Sequence, residues 1–322
     1  MASSGAQRES TADGNPRVIM WCVPRSVSTA VTKCMSFVEG AEIWMEPYCV
    51  SKTLTDMCIA THNYDRSLFP LEYDGNEEFY TDFARAFDGQ FIDIAHPELL
   101  SPAMIKKKLD CIDPAVRFVF VKDMGFGIPP SRFRYLPDKE SGFRHLFLIR
   151  HPVKVYKSFR KAALDLPLPE MDKKPDPETF NILSALPPCG EDTEFTFRSL
   201  HRLWGHLRER GDEGMVIMDI DDLITDPSKM LPRLFHALNI PYSEDLLTWD
   251  QSADVVLKWR SVCPNVRDAP HYSQWFRSAF KSTCFKPSST TTTLEGVTPD
   301  IIEVVQKEMP YYEEMYKMRI TP

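Results

Sequence analysis

Short runs of apolar residues recur along the chain and are separated by longer segments with the character of helices. Continuous apolar runs of this length are typical of strands that are buried on both faces of a parallel sheet. We therefore predict strands at Val18–Val23, Ala41–Met45, Arg117–Lys122, His145–Arg150 and Met215–Ile220.

Helices are predicted between these strands, and the alternation of strands with helices indicates a layered α/β fold. A further helix is expected after Asp226, a good N-cap residue, with Pro227 at its first position. The other predicted helices are Ser28–Val38, Thr53–His62, Glu77–Phe87, Pro102–Leu109, Val153–Leu164, Phe195–Arg210 and Pro299–Tyr316.

Two segments interrupt the alternation. Residues 165–192 are rich in proline and polar side chains, which excludes a central strand and indicates a surface excursion or lid. Residues 264–299 are predicted to form a second irregular excursion, and loops of such length often cover a ligand. We expect a disordered leader at residues 1–15 and a single α/β domain at residues 16–322.

Composition narrows the function classes. A net charge of −8 argues against a general nucleic-acid binder and against a protein of anionic membranes. None of the 8 cysteines forms a C-x-x-C pair, so we expect reduced thiols rather than disulfides or a zinc site. Neither a signal peptide nor a membrane span is visible, which predicts a cytoplasmic protein. The oligomeric state stays open, a homodimer included.

The first predicted strand passes through a short turn, Pro24–Val27, into the first predicted helix. The free N–H groups and the positive dipole end of such a helix stabilise an anion in the turn. Ser26 or Ser28 is expected to cap the helix. Ser26, Ser28 and Thr29 offer hydroxyl donors, and Arg25 offers a planar cation.

The same turn lacks both glycines and the lysine of the nucleoside-triphosphate loop, G-x-x-x-x-G-K-S/T. No magnesium-binding arrangement accompanies it, so ATP hydrolysis is disfavoured. On its own, the turn is equally compatible with an ordinary strand–turn–helix junction that carries incidental serines.

A second strand–helix junction also combines a cation at the strand end with a hydroxyl side chain on the following helix. Arg150 closes a predicted strand, Pro152 begins a helix, and Ser158 lies two turns into that helix. Arg150 and Ser158 can therefore reach one phosphate group. The alternative is that Arg150 pairs with a carboxylate and that Ser158 is merely solvated.

Taken together, the runs PRSVST (Pro24–Thr29) and RHPVKVYKS (Arg150–Ser158) resemble two motifs of the sulfotransferase superfamily, in the same order and about 125 residues apart. The resemblance extends from Arg17 to about Leu164. It implies a P-loop NTPase-like fold, a three-layer α/β sandwich with a central parallel sheet. It also implies the donor PAPS (3′-phosphoadenosine 5′-phosphosulfate) and the product PAP. The 5′-phosphosulfate would contact Arg25, Ser26, Val27, Ser28 and Thr29, and the 3′-phosphate would contact Arg150 and Ser158.

The turn departs from the family pattern at two positions. Many members have glycine where Val27 stands, and because a β-branched residue tolerates positive φ poorly, we expect negative φ there. Many have lysine where Arg25 stands, and arginine can only stabilise charge because it keeps its proton. Nearer the C-terminus, Arg277 in WFRSAF partly resembles the family's F-R-K-G phosphate contact and is a further cofactor-binding candidate.

The predicted general base is Glu46, at the end of the second strand and 21 residues after Arg25. Its position resembles that of the glutamate in the tyrosylprotein and trehalose-type branches, and strand ends are where ligands meet such sheets. The alternative is a carboxylate that pairs with lysine or arginine. His96 and His151 are rival bases. Lys122 and Asp123 either border the acceptor site or form a structural pair.

The sequence thus predicts a metal-independent sulfotransferase that acts on a small hydroxylated acceptor, with Glu46 and Arg25 as the catalytic residues. Two alternatives stay open: a kinase-like enzyme that uses a nucleoside triphosphate, and a non-catalytic protein that binds PAP or another nucleotide. The identity of the acceptor cannot be predicted from the sequence.

Overall fold

The five predicted strands are all present and lie in one parallel sheet. The computed structural model describes residues 14–62, 65–87, 94–165, 175–185, 197–252, 254–263 and 270–322. The sheet has the order β2-β3-β1-β4-β5, and every neighbouring pair is parallel. The strands are β1 Arg17–Cys22, β2 Ala41–Met45, β3 Phe118–Met124, β4 Phe143–Ile149 and β5 Val216–Asp219.

Helices connect the strands, and the predicted cap at Asp226 is confirmed, since its carboxylate accepts the N–H of Lys229 at 3.2 Å. Short 3-10 segments, among them Gly125–Gly127 and Pro130–Tyr135, lie between the longer elements. The helices are α1 Ser28–Met35, α2 Pro47–His62, α3 Glu77–Arg85, α4 Pro102–Asp110, α5 Pro152–Asp165, α6 Ile182–Ala185, α7 Phe197–Arg210, α8 Ile220–Thr225, α9 Pro227–Ala237, α10 Pro270–Phe280 and α11 Pro299–Lys317.

Successive strand residues point into two different cores, as the side-chain period of two requires. In β1, Ile19 and Trp21 face one core, together with helices α2, α3, α4, α5, α7 and α11. Val18 and Met20 face the other, together with α1, α8, α9 and part of α10. The strands are largely apolar because both faces are covered, which confirms the predicted three-layer α/β sandwich.

Two predicted boundaries are wrong for the same kind of reason. Helix α2 begins at Pro47 rather than Thr53, because the Asp123 carboxylate accepts the N–H groups of Tyr48 and Cys49 at 2.7 and 3.0 Å. Helix α10 occupies part of the predicted irregular segment 264–299, and its last residue, Phe280, packs into the core beside α1. Both elements depend on contacts that are remote in sequence.

Other expectations fall partly outside the described residues. Residues 1–13 of the predicted leader lie there, as do residues 166–174 and 186–196 in and beside the first excursion, with Cys189. The other seven cysteines are free thiols. Over the ranges that the structure describes, no helix is long and apolar enough to cross a membrane, and no cluster of potential metal ligands is present.

The topology selects one edge of the sheet for ligand binding. The chain leaves β1 towards β2 and leaves β4 towards β5, so its direction across the sheet reverses between the neighbours β1 and β4. Ligands of open α/β sheets bind at the carboxyl ends of the strands at such a reversal. Arg25 and Arg150 follow these two strands.

We expect Gly127→Ala to destabilise the protein by about 1–3 kcal/mol, since overpacking a tight contact costs this much. A Cβ at Gly127 would lie 2.6 Å from the backbone nitrogen and 2.7 Å from the Cα of Cys49, in the first turn of α2. Gly205→Ala in α7 is the matched control, because no atom lies within 4 Å of its Cβ position. Urea unfolding should show a loss only for Gly127→Ala, and an unchanged midpoint there would contradict this packing.

Candidate functional site

Four neighbouring strand ends carry the predicted site. Glu46 follows β2, Lys122 lies near the end of β3, Arg25 follows β1 and Arg150 follows β4. Because adjacent strands are about 4.8 Å apart, these residues share one edge of the sheet over roughly 15 Å. The base candidate thus lies on one side of the β1 turn, and the second-motif arginine lies on the other.

The turn after β1 has an unusual backbone. Arg25 has φ 64° and Val27 has φ 61°, both left-handed, so the prediction of negative φ at Val27 is wrong. A left-handed L-residue costs about 1–2 kcal/mol, and a β-branched residue is rarely found there. Positive φ on either side of Ser26 produces the alternation of a backbone nest, which presents successive N–H groups to an anion. Strain of this kind is concentrated at functional sites.

The predicted serine cap of α1 is also wrong. Val27 occupies the N-cap position and makes no side-chain capping bond. The Ser26 hydroxyl instead donates to the carbonyl of Val23 at 2.7 Å, which closes the turn. The Ser28 side chain is buried, and its carbonyl accepts from Thr32. The first amides of α1 therefore face the turn without a capping oxygen, a configuration suited to an anion.

The two predicted motifs meet at the side chain of Arg25. Its Nε donates to the hydroxyl of Ser158 at 3.1 Å, across 133 residues of sequence. Its Nη1 donates to the carbonyl of Trp275 at 3.1 Å, and the guanidinium lies 5.3 Å from the centroid of the Trp275 ring. Arg25 is thus held in place by one residue of each neighbouring helix, α5 and α10.

Arg150 lies under the same turn and is only 7% exposed. Its Nη1 donates to the carbonyl of Arg25 at 2.9 Å, and its Nη2 donates to the hydroxyl of Ser288 at 3.1 Å. Its Nε is buried without a hydrogen-bond partner and lies 3.8 Å from Oδ1 of Asp221, which is itself buried without one. That carboxylate pairs more closely with Lys154, at 3.1 Å. An unsatisfied buried donor is costly, and an additional acceptor would relieve the cost.

The charges of Arg25 and Arg150 also favour a bound anion at this position. Burial lowers the pKa of Arg25, and the neighbouring Arg150 lowers it further. Burial also lowers the pKa of Arg150, against the opposing influence of Asp221 and Asp219. Two partly desolvated guanidinium groups therefore stand side by side, and both remain cations because arginine cannot be deprotonated in proteins. The arrangement fits an oxyanion such as a phosphate or sulfate group.

Glu46 forms a buried ion pair. Its side chain is 9% exposed, its backbone is left-handed with φ 54°, and its N–H donates to the carbonyl of Lys122 at 2.6 Å. The ammonium of Lys122 is fully buried and donates to Oε1 of Glu46. Burial lowers the pKa of Lys122, Cys22 and Asp123 oppose this shift, and Arg25 adds to it. Lys122 therefore lies within electrostatic range of both Glu46 and Arg25.

Asp123 caps helix α2, unlike the adjacent Lys122, which pairs with Glu46. Burial raises its pKa to about 7, although the N–H groups of Met124, Tyr48 and Cys49 donate to it and oppose the shift. These bonds tie the end of β3 to the start of α2. The predicted structural pair of Lys122 and Asp123 is therefore not the arrangement observed, because Asp123 caps α2 and Lys122 donates to Glu46.

The other predicted residues, Arg277, His96 and His151, make no described contact with Arg25, Arg150 or Glu46. The Arg277 side chain is exposed on α10, two residues beyond Trp275. His96 is 52% exposed and lies 3.6 Å from the carboxylate of Glu98. The His151 ring packs against Tyr312 at 5.4 Å and accepts the N–H of Val153. In the contacts described, neither histidine is paired with Glu46.

Sequence reasoning did not identify four residues around the two arginines: Trp275, Ser288, Asp221 and Lys154. The sequence did contain an indication of two of them, Asp221 and Ser288. Asp221 closely follows β5 and so lies at the same sheet edge, and Ser288 begins a Ser/Thr run in a loop expected to cover a ligand. Nothing local marked Trp275 or Lys154.

Comparison with known proteins yields distant structural likenesses only. No family model and no curated protein matches the chain. The sulfotransferase domain from the curacin biosynthetic pathway is 12% identical, with a TM-score of 0.37 over 96% of this chain and 100% of that one. Mouse sulfotransferase SULT7A1 complexed with PAP is 11% identical, with a TM-score of 0.41 over 95% and 84%. The sulfotransferase domain from the Synechococcus PCC 7002 olefin synthase is 15% identical, with a TM-score of 0.37 over 94% and 97%. Likenesses this remote carry no argument about ligand or reaction.

We expect the Glu46–Lys122 pair to behave as a coupled unit in a double-mutant cycle. Lys122→Met leaves a buried carboxylate without its cation, and breaking a buried pair in this way costs about 3–5 kcal/mol. Adding Glu46→Gln removes the orphaned charge, so the double variant should be more stable than Lys122→Met alone. Denaturant unfolding of the four proteins measures this coupling.

The exposed pair of Lys307 and Glu303 provides the control for that cycle. Lys307→Met should change the free energy of unfolding by less than about 1 kcal/mol, as is usual for surface pairs. Strictly additive losses at Glu46 and Lys122 would contradict the ion pair.

Proposed function

We propose that the chain is a sulfotransferase that moves a sulfuryl group from PAPS to a hydroxyl of a small acceptor, leaving PAP. The observation that carries the proposal is the junction of Arg25, Arg150 and Ser158. Two cations from adjacent strand ends share it, the half-buried Arg25 and the buried Arg150, and the Nε of Arg150 makes no hydrogen bond within the described residues. An anionic cofactor with separate phosphate groups would satisfy this junction.

The residues present divide naturally between two anionic groups. The left-handed turn, the first amides of α1, Thr29 and the Arg25 guanidinium would hold the 5′-phosphosulfate. Arg150, Ser158 and Ser288 would hold the 3′-phosphate. When bound, PAPS would supply an activated sulfuryl group. Arg25 would stabilise the negative charge that develops on the leaving phosphate.

Glu46 would accept the proton of the acceptor hydroxyl. The ammonium of Lys122 stabilises the carboxylate charge before the reaction. Once Glu46 has taken the proton, its attraction for Lys122 weakens. The ammonium then lies free to offset charge towards Arg25 and the β1 turn, on the leaving-group side. The pair thus couples removal of the proton to stabilisation of the leaving phosphate.

The ion pair also favours one alternative, a non-catalytic nucleotide-binding protein, because a carboxylate already held by lysine is a weaker proton acceptor. Such a protein would bind PAP but would not turn over. A kinase-like enzyme would instead prefer ATP with magnesium. Ligand preference and turnover separate the three functions.

We expect PAP to stabilise the protein and ATP–magnesium to do so much less. At 100 times the Kd of PAP, mass action predicts about 2.7 kcal/mol of added stability, which thermal shift measures.

Arg150→Ala should weaken PAP binding by about 1.5–3 kcal/mol in calorimetry, the usual value of a charge-assisted hydrogen bond.

Arg233→Ala is the control for that loss, because this exposed arginine of α9 donates only to the carbonyl of Thr321 in the contacts described. Its PAP affinity should match that of the parent. Arg277→Ala, compared in the same experiment, tests whether Arg277 reaches the cofactor. Equal or greater protection by ATP–magnesium would overturn the proposed function.

We expect Glu46→Gln to lower turnover by roughly 10²–10⁴-fold, the usual contribution of a positioned base. Its PAP affinity should be nearly unchanged, because Glu46 lies on the β2 side of the sheet, away from Arg150. Steady-state kinetics with an acceptor found by screening, run well below the Tm of the variant, measures both. A variant of near-normal rate would transfer the base role to a histidine, His96 first.

A further inference from the structure

A second group of cations lies beyond the base and is not used by the proposed chemistry. It consists of Lys52 and Asp56 on α2, Arg66 just after α2, and Arg132 in the 3-10 segment Pro130–Tyr135; we name it the Arg132 cluster. Lys52 is 4% exposed and Arg132 is 9% exposed, whereas the Arg66 side chain is 48% exposed, so the cluster reaches from the interior of the fold to its surface.

The single carboxylate of the cluster is already occupied. Oδ2 of Asp56 accepts from Lys52, and Oδ1 accepts from Arg66 at 2.6 Å. Among the described residues, the Arg132 guanidinium makes no hydrogen bond; its backbone N–H alone is bonded, to Pro129 at 2.8 Å. Within the described ranges, three cations thus face one anion. This leaves a formal charge of +2 (3 − 1) at a position that is buried at Lys52 and Arg132 and open to solvent at Arg66.

The neighbouring groups do not neutralise this charge. Tyr80 and Tyr135 flank Arg132, and burial raises the pKa of each, so both are neutral hydroxyls near pH 7. Glu72 is exposed and accepts from the Tyr135 hydroxyl, to which Arg134 also donates, so these two charges offset each other. Buried cations are normally paired, but in the part of the chain that the structure describes no carboxylate accepts a hydrogen bond from Arg132, although Asp56 attracts it.

Both elements that carry the cluster start at the active edge of the sheet. Helix α2 begins directly after Glu46, and the segment that carries Arg132 follows the end of β3. The two are joined by the hydroxyl of Tyr48, which donates to the carbonyl of Tyr135 at 2.7 Å. Lys52 lies six residues after Glu46, about 9 Å along the helix axis. The cluster therefore lies on the base side of the site, away from Arg150.

We propose that the Arg132 cluster binds an anionic group of the acceptor, a carboxylate, sulfate or phosphate, while the acceptor hydroxyl is held at Glu46. The acceptor is then a hydroxylated compound that carries a negative charge on the order of 10 Å from the reacting oxygen. The guanidinium of Arg132 offers the planar pair of donors that matches such oxyanions. This inference rests on the proposed function for its acceptor, but the anion site stands on the cluster alone.

The binding test uses inorganic sulfate as the probe, at constant ionic strength set with chloride. The Arg25→Ala/Arg150→Ala background removes the guanidinium groups of both competing anion sites at the nucleotide junction. We expect saturable stabilisation by sulfate in this background and a Kd at least roughly 10-fold weaker when Arg132→Met is added, as expected for loss of a charge-assisted contact.

Arg134→Met is the matched control, because Arg134 is an exposed arginine of the same 3-10 segment and lies over the Tyr135 ring. It should leave sulfate binding unchanged. Arg132→Lys keeps the charge, guards against a folding defect in Arg132→Met, and should bind sulfate with intermediate affinity. If Arg132→Met leaves the sulfate affinity of the background protein unchanged, the proposed anion site is overturned, whether or not PAP binds.

The catalytic test compares each hydroxylated carboxylic acid with its methyl ester. The parent protein should prefer the acid, and Arg132→Met should lower kcat/KM for the acid by roughly 10- to 100-fold, the range expected for one charge-assisted contact, while leaving the ester unchanged. PAP affinity, measured on the same samples, separates the two proposals. Lost preference with intact PAP binding supports the acceptor role, whereas equal use of acid and ester by the parent overturns it.

Discussion

The hydrogen bond from Arg150 to the carbonyl of Arg25 is the interaction on which the rest of the site depends. It ties the end of β4 to the turn after β1 and so fixes the backbone where two left-handed residues, Arg25 and Val27, alternate with Ser26. Strained backbone of this kind persists only where surrounding contacts determine it. The same bond brings two guanidinium groups together, and their mutual repulsion makes the site receptive to an anion.

Most buried polar groups at this edge are satisfied across strands rather than within them. Asp123 of β3 caps α2, and Lys122 of β3 holds Glu46, which follows β2. Against this background Arg150 and Arg132 stand out: within the described residues the Nε of Arg150 makes no hydrogen bond, and neither does the buried guanidinium of Arg132. They lie on opposite sides of the base and the β1 turn, as a two-substrate site with an anion at each end would require.

Sequence predicted the features whose cause is local or follows from sheet geometry. Apolar runs located all five strands, and the proximity of parallel strand ends predicted that the two motifs lie together, although Ser158 was expected beside Arg150 and bonds Arg25 instead. The start of α2 could not be predicted, because its cap comes from a residue 75 positions away. The left-handed Val27 contradicts the local preference of valine, since a tertiary contact at Arg25 holds the turn. Helix α10 was missed because its packing partner is α1.

The strand order also arranges the charges in a sequence that suits the proposed reaction. From β2 to β4 the edge carries a carboxylate, an ammonium, the left-handed turn after β1 and a guanidinium. Negative charge that begins at the acceptor hydroxyl, beside Glu46, would move during transfer towards β1 and β4, where fixed cations become more numerous. Arg150 and Lys122 are buried, Arg25 is half-buried, and all three are held by hydrogen bonds, so little reorganisation would accompany that movement. Electrostatic stabilisation lowers a barrier most under this condition. The buried lysine is therefore better placed as a member of this gradient than as a mere counter-ion of Glu46.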